Sequence, residues 1–158
     1  MPSIYLETSI FSYLASPPSC DLIVSAHQKM THDWWSHHRR KFDLVASSLV
    51  VEEIGEGNVK KALQRLELTK GVRLLAITQE VLNLATLFIK KGPLPEKAKD
   101  DAFHIATAAV HSIDYLLSWN CKHIANPFIQ KDLVKIIQSQ GWEAPILCTP
   151  ENMLELTK

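Results

Sequence analysis

Ser3-Ile4-Tyr5-Leu6-Glu7-Thr8-Ser9 opens with a short apolar run that stops at an acid and two hydroxyls. Ser3 to Leu6 reads as a strand, and Thr8 and Ser9 suit the cap of a short helix over Ile10 to Leu14. Pro17-Pro18 makes residues 15–20 a loop. Working outward, the same unit recurs. Asp21 to about Arg40 reads as one long helix with Leu22, Ala26, Met30 and Trp34 as its apolar stripe, and its basic end suits a helix C-terminus. Phe42 to Ala46 is a second strand, followed by a Ser47-Ser48 cap and a helix that Gly55 and Gly57 interrupt. Helix resumes over Val59 to Leu68, and Gly71 closes it. Val72 to Ile77 is a third strand, and Thr78 caps a helix to about Lys90. The break Gly92-Pro93-Leu94-Pro95 precedes a helix from Glu96 to Ser112. Tyr115 to Ser118 is a fourth strand, Phe128 to Gln140 a helix and Ile146 to Cys148 a last strand, with a helix start at Thr149-Pro150-Glu151.

Strands that alternate with helices imply βαβ crossovers, hence a mostly parallel sheet with helices on both faces. The expected fold is α/β: a three-layer α/β/α sandwich around four to five strands, in a single domain spanning 1–158. The loop at 15–20 and the break at 92–95 are the candidate mobile segments.

Composition narrows the class. Apolar residues make up 46% and charged residues 22%, a globular balance. The 17 basic and 17 acidic residues cancel, so no whole-molecule charge argues for nucleic-acid binding. Cys20, Cys121 and Cys148 have no CxxC spacing, which argues against a disulfide framework or a zinc knuckle. With no signal-peptide pattern and no membrane-length apolar run, the expected location is the cytoplasm.

In parallel sheets, ligands bind outside the carboxyl ends of the strands. Glu7 follows the first strand, Glu52 and Glu53 come shortly after the second, and Asn120 follows the fourth. Asp101 opens a helix that is apolar nearly all round and therefore buried. Taken singly, each has an ordinary reading as a surface acid, a solvated helix residue, an N-terminal helix acid or a turn residue. Taken together they conflict. Two carboxylates about 5 Å apart repel by about 3 kcal/mol at an effective dielectric of about 20. Three mutual pairs cost on the order of 10 kcal/mol, comparable to a domain's net stability. Such a cluster must be protonated, paired or metal-bound, and all-oxygen donors suit Mg²⁺ or Mn²⁺.

The segments Ile4-Tyr5-Leu6-Glu7-Thr8-Ser9, Val50-Val51-Glu52-Glu53-Ile54, Asp101-Ala102-Phe103-His104-Ile105-Ala106-Thr107-Ala108 and Leu117-Ser118-Trp119-Asn120 resemble the four acidic motifs of PIN domains, in the same order. The Asp-Ala-x-x-Ile-Ala-x-Ala helix is the more specific of them. The resemblance implies a Mg²⁺- or Mn²⁺-dependent endoribonuclease that cleaves single-stranded RNA by metal-activated water. It implies similarity to VapC-type toxins, with a small antitoxin and a second copy of the chain as partners. Under it, Glu7, Glu53 and Asp101 are the metal-binding and catalytic acids, and Asn120 takes the fourth catalytic position. Thr8 or Ser9 matches the small hydroxyl beside the first acid, and both are assigned to the nucleic-acid side of the site with Lys122 and His123. The choice of Glu53 over Glu52 and of Asp101 over Asp100 rests on this register, because periodicity decides neither.

Two positions depart from the pattern: Glu7 stands where most members carry Asp, and Asn120 lowers the site's charge by one. They motivate a second reading, a degenerate PIN-like module that binds RNA or a protein without cutting. Elsewhere, His27, His32 and His37 scatter around their helix and make no zinc site. Asp101, His104 and His111 could share a helix side, a spacing that metal sites use. The pair Trp34-Trp35 reads as core, and Lys97 and Lys99 as solvated flanks of the site.

Overall fold

Strand β1 (Ser3–Leu6) is buried at Ile4, Tyr5 and Leu6 and lies at the centre of the sheet. The computed structural model describes residues 1–156; residues 157 and 158 of the expected domain lie outside the described residues. Along the chain follow α1 (Thr8–Ala15), α2 (Leu22–His37), β2 (Asp43–Ser47), α3 (Ser48–Ile54), α4 (Val59–Glu67), β3 (Arg73–Leu75) and α5 (Gln79–Lys90). Then come α6 (Lys99–Val110), β4 (Tyr115–Leu117), α7 (Pro127–Ser139), β5 (Ile146–Cys148) and α8 (Pro150–Leu156). Among the described residues the sheet has five strands in the order β3-β2-β1-β4-β5, and every pairing is parallel. The expected mostly parallel sheet is thus wholly parallel. No helix of the described residues is long and apolar enough to cross a membrane.

The strand order places the site. The chain winds from β1 outward through β2 to β3, then crosses back to β4 and continues to β5. Right-handed crossovers therefore put the crossover helices of the two halves on opposite faces, while α8, after the last strand, packs on α2. Accordingly, α1 packs on α2, α3 and α4, while α5 packs on α6 and α7. The reversal lies between β1 and β4, and the crevice at their carboxyl ends is where such sheets bind ligands. Glu7 leaves β1 there, and Ser118 to Asn120 leave β4.

Local signals hold at most caps. The Asp21 carboxylate accepts from Ile23 N and Val24 N at 3.0 and 2.9 Å. Ser47, Asn58, Thr78 and Asn126 cap α3, α4, α5 and α7. Two helices lack such a bond: α6, whose cap residue is Ala98, and α1, whose cap residue is Glu7. The hydroxyls of Thr8 and Ser9 are engaged elsewhere.

Other expectations shift. The long helix stops at His37, and Arg39–Lys41 forms a separate 3₁₀ turn. Its apolar stripe is also wrong at one end: Leu22 is 87% exposed, and the buried residues of α2 are Gln28, Thr31 and Trp34. A strict four-residue step overshoots a turn by about 40°, so from Leu22 to Trp34 the stripe winds about 120° off the buried face. The helix expected from Glu96 begins as a 3₁₀ turn at Glu96–Ala98, and α6 starts at Lys99. Both candidate mobile segments are anchored. Buried Leu94 donates its amide to Phe88 O at 3.1 Å. Buried Gln28 donates to Pro17 O at 3.1 Å and accepts from Ser19 N at 3.0 Å.

Candidate functional site

Each acid reaches the crevice from a different element. Glu7 is 7% exposed, and its Oε1 accepts from Ser9 Oγ and Ser118 Oγ, both at 2.6 Å. Ser118 Oγ in turn accepts from Asn120 N at 2.9 Å, and Ser9 Oγ from Trp119 N at 2.9 Å. The two chain ends leaving β1 and β4 are therefore laced together through one carboxylate oxygen.

Glu53, on α3, is held from both sides. Its Oε1 accepts from Thr8 Oγ1 at 2.6 Å and faces His104 Nε2 at 2.6 Å. His104 is 1% exposed and belongs to α6, one turn after Asp101. Its Nδ1 lies 2.7 Å from the Tyr5 hydroxyl, which lies 2.7 Å from Ser47 Oγ. Burial pushes the Glu53 carboxyl up, but the hydrogen bond and charge of His104, with the Thr8 hydroxyl, outweigh it and leave the group below the ordinary glutamate value. Burial raises the Tyr5 phenol far above its ordinary value, so it stays a neutral link in this chain. Glu52 and Asp100 are exposed and border a separate cavity with Ile77 and Phe103.

Asp101 is the acid in conflict. Burial and then the charge of Glu7 hold its carboxyl above the ordinary aspartate value, and the charges of His104 and His123 with a hydrogen bond from Asn120 only partly offset them. His123 Nδ1 lies 3.1 Å from Asp101 Oδ2. Asn120 Oδ1 accepts from the amides of Lys122 and His123 at 3.2 and 3.0 Å, closing a turn under the site. Among the described residues, no lysine or arginine pairs with any of the three acids, and their ion pairs are His104–Glu53 and His123–Asp101.

The structure gives several of the remaining candidates partners within the protein. Thr8 and Ser9 turn their hydroxyls onto carboxylates. His123 faces Asp101, while Lys122 is exposed beside the site. His111 does not join His104: its Nε2 lies 2.8 Å from Ala76 O. His104 itself grips Glu53, and this role, with those of Tyr5, Ser47 and Ser118, was missed from sequence. The available signal was spacing, since His104 sits three residues after Asp101 on one helix side.

The donor set fits a hydrated hard cation. Among the described residues no three His, Cys, Asp or Glu side chains are placed to enclose an ion by themselves. Mg²⁺ ordinarily keeps several waters and takes one or two carboxylates. Glu7 and Asp101, the second within reach of the first one's charge, would be that pair. The second oxygen of Glu7 and that of Glu53 take no hydrogen bond from any described residue. Above the acids opens a cleft of about 450 Å³ bounded by Glu7, Glu53, Asn120, Tyr13 and Trp119.

No protein-family model and no curated protein matches the chain. Solved structures do. VapC20 of Mycobacterium tuberculosis, described as a Sarcin-Ricin loop cleaving toxin, superposes with a TM-score of 0.59 at 16% identity, over 77% of this chain and 92% of that one. This chain has a VapC-like, PIN-type fold. A toxin-antitoxin complex from Klebsiella pneumoniae gives a TM-score of 0.57 at 18% identity, over 79% of this chain and 92% of that one. VapBC2 from Rickettsia felis, bound to a promoter DNA fragment, gives 0.55 at 15% identity over 75% and 89%.

Proposed function

We propose that this chain is a divalent-metal-dependent endoribonuclease that cleaves single-stranded RNA in the cytoplasm, and that it is the toxin of a toxin–antitoxin pair. The observation that carries this reading is the crevice itself: Glu7 and Glu53 line one cleft, the charge of Glu7 reaches Asp101, and among the described residues no lysine or arginine pairs with any of the three. Glu7 is buried without a basic partner among the described residues, and Asp101 is half-buried with His123 alone beside it, a balance that calls for a cation. The VapC-like fold supports a nuclease with an antitoxin partner, and a second copy of the chain belongs to the same proposal.

Glu7 and Asp101 would hold Mg²⁺ or Mn²⁺, with Glu53 ligating through its free oxygen or through a water. When bound, the cation supplies a Lewis acid that activates water for attack on a phosphodiester. The protein's own contribution is orientation. Ser9 and Ser118 fix one oxygen of Glu7, and Thr8 and His104 fix one oxygen of Glu53, so the other oxygens are presented to the cleft. Asn120 donates towards Asp101 and, through its turn, sets His123 against the same carboxylate. Lys122, exposed at the rim, is available for a phosphate.

Purified protein with Mn²⁺ is expected to cut an unstructured RNA, and Asp101→Asn to abolish the cut. Equal cleavage by the variant would remove the proposal. Calorimetric titration adds a second arm: no Mn²⁺ binding at millimolar metal would favour the non-cleaving module that the Glu7 and Asn120 departures suggest.

A further inference from the structure

Three aromatic rings, from α1, α2 and the loop after β4, meet at one wall of the cleft that Tyr13 and Trp119 line, and the acids do not use them. His27, on α2, stacks on Trp119 with centroids 4.0 Å apart and planes 10° from parallel. Tyr13, on α1, stands nearly perpendicular to both, 6.2 Å from His27 and 6.1 Å from Trp119. It therefore sits beside the stack, almost equally far from each ring. Trp119 is 9% exposed and doubly tethered, its amide to Ser9 Oγ at 2.9 Å and its indole N–H to Thr31 Oγ1 at 2.7 Å. It is the fixed backing of the wall. Tyr13 is half-buried and lines the cleft, and its hydroxyl takes no hydrogen bond from any described residue.

We propose that Tyr13, braced by the Trp119–His27 stack, is a substrate-binding residue on which a nucleobase next to the scissile phosphate of single-stranded RNA stacks. The inference rests on the nuclease reading for its choice of RNA. Three observations carry it. The ring is pre-positioned from two sides, so little side-chain entropy is lost when a flat ligand meets it. The wall is continuous with the acids, in a cleft of about 450 Å³ that has room for one nucleotide beside the site. Stacking on an aromatic side chain is the sequence-tolerant way to hold an unpaired base, because every base offers a π-face. The proposal also gives α2 a part in the site: it supplies His27 to the stack and Thr31 to the indole. Duplex RNA, whose bases are already stacked, is disfavoured by the same wall.

The test uses the full chain with Mg²⁺ and a short, fluorescein-labelled, uncleavable phosphorothioate RNA strand, read by fluorescence anisotropy at fixed salt. A second set of strands carries one abasic position moved along the sequence. One abasic position is expected to weaken binding by roughly tenfold, and Tyr13→Leu to weaken the intact strand by about the same factor while leaving that abasic strand unchanged. Tyr13→Phe keeps the ring and is expected to bind like the parent. Equal loss for intact and abasic strands, or no loss with Tyr13→Leu, would overturn the proposal. Should Tyr13→Leu fail to fold, the abasic series on the unmodified protein decides alone, and no position-dependent penalty overturns it. Base-dependent binding without metal-dependent cleavage would support this assignment while removing the nuclease reading. Cleavage without base dependence would do the reverse.

Discussion

His104 grips Glu53 from inside the fold: its Nε2 lies 2.6 Å from Glu53 Oε1, and its Nδ1 2.7 Å from the Tyr5 hydroxyl. The residues come from α6, α3 and β1, and two of them, Tyr5 and His104, are at most 1% exposed. A buried polar chain of this kind orients the acid and also carries stability, because every link has a partner.

Breaking the chain at its centre is expected to be costly. His104→Ala leaves Tyr5 with only Ser47 and Glu53 with only Thr8, and is expected to destabilise the protein by about 3 kcal/mol in urea unfolding. Tyr5→Phe removes one hydroxyl that serves two partners, with an expected loss of about 1–2 kcal/mol. A loss below a few tenths of a kcal/mol for both would mean that the network carries no stability.

Ser118 links the ends of β1 and β4 through Glu7. Ser118→Ala removes one of the two donors on Glu7 Oε1 and frees the carboxylate to swing. Mn²⁺ affinity by calorimetry is expected to fall by about 10- to 100-fold, the usual effect of losing a group that orients a ligand. Unchanged affinity would show that Ser9 alone suffices.

Asp101 and Glu53 are expected to respond to pH with opposite sign in the metal-free protein. The Asp101 pKa is raised on folding, so the folded state binds more protons and stability falls as pH rises through the raised value. Asp101→Asn should therefore be more stable than the parent at neutral pH in EDTA, with the gain vanishing below the ordinary aspartate range. The Glu53 pKa is lowered, so its contribution is present above the unfolded value and is lost as pH falls through the folded one. Glu53→Gln should be less stable at neutral pH, with the deficit closing in acid. Thermal melts across that range test both signs.

Metal should reverse the order of the first pair. A cation at a hundredfold excess over its dissociation constant adds about 2.7 kcal/mol to the state that binds it. Mn²⁺ is expected to raise the melting temperature of the parent protein and to leave Asp101→Asn nearly unmoved. An equal rise in both would place the cation elsewhere.

The sequence by itself determined the frame. Alternating strand and helix signals imply parallel crossovers, and parallel crossovers place whatever follows each strand at one end of the sheet. Glu7 after β1 and Asn120 after β4 were legible for that reason, as were the caps at Ser47 and Thr78, which depend on contacts three residues away. The all-parallel order was not, because pairing joins segments such as Ser3–Leu6 and Tyr115–Leu117 that are far apart in the chain.

Only the tertiary structure decided which side chains turn inward and what they hold. Glu53 and Asp101 were chosen over their neighbours by motif register, and it took packing to half-bury them and leave Glu52 and Asp100 in water. Thr8 and Ser9 looked like helix caps because a hydroxyl at a helix start ordinarily bonds its own backbone. Here Glu7 occupies the cap position, so Thr8 and Ser9 lie inside the first turn and donate their hydroxyl protons to carboxylates at 2.6 Å. The partners of Glu7 and Glu53 include Ser118 and His104, 111 and 51 residues away, a distance over which no local periodicity carries information.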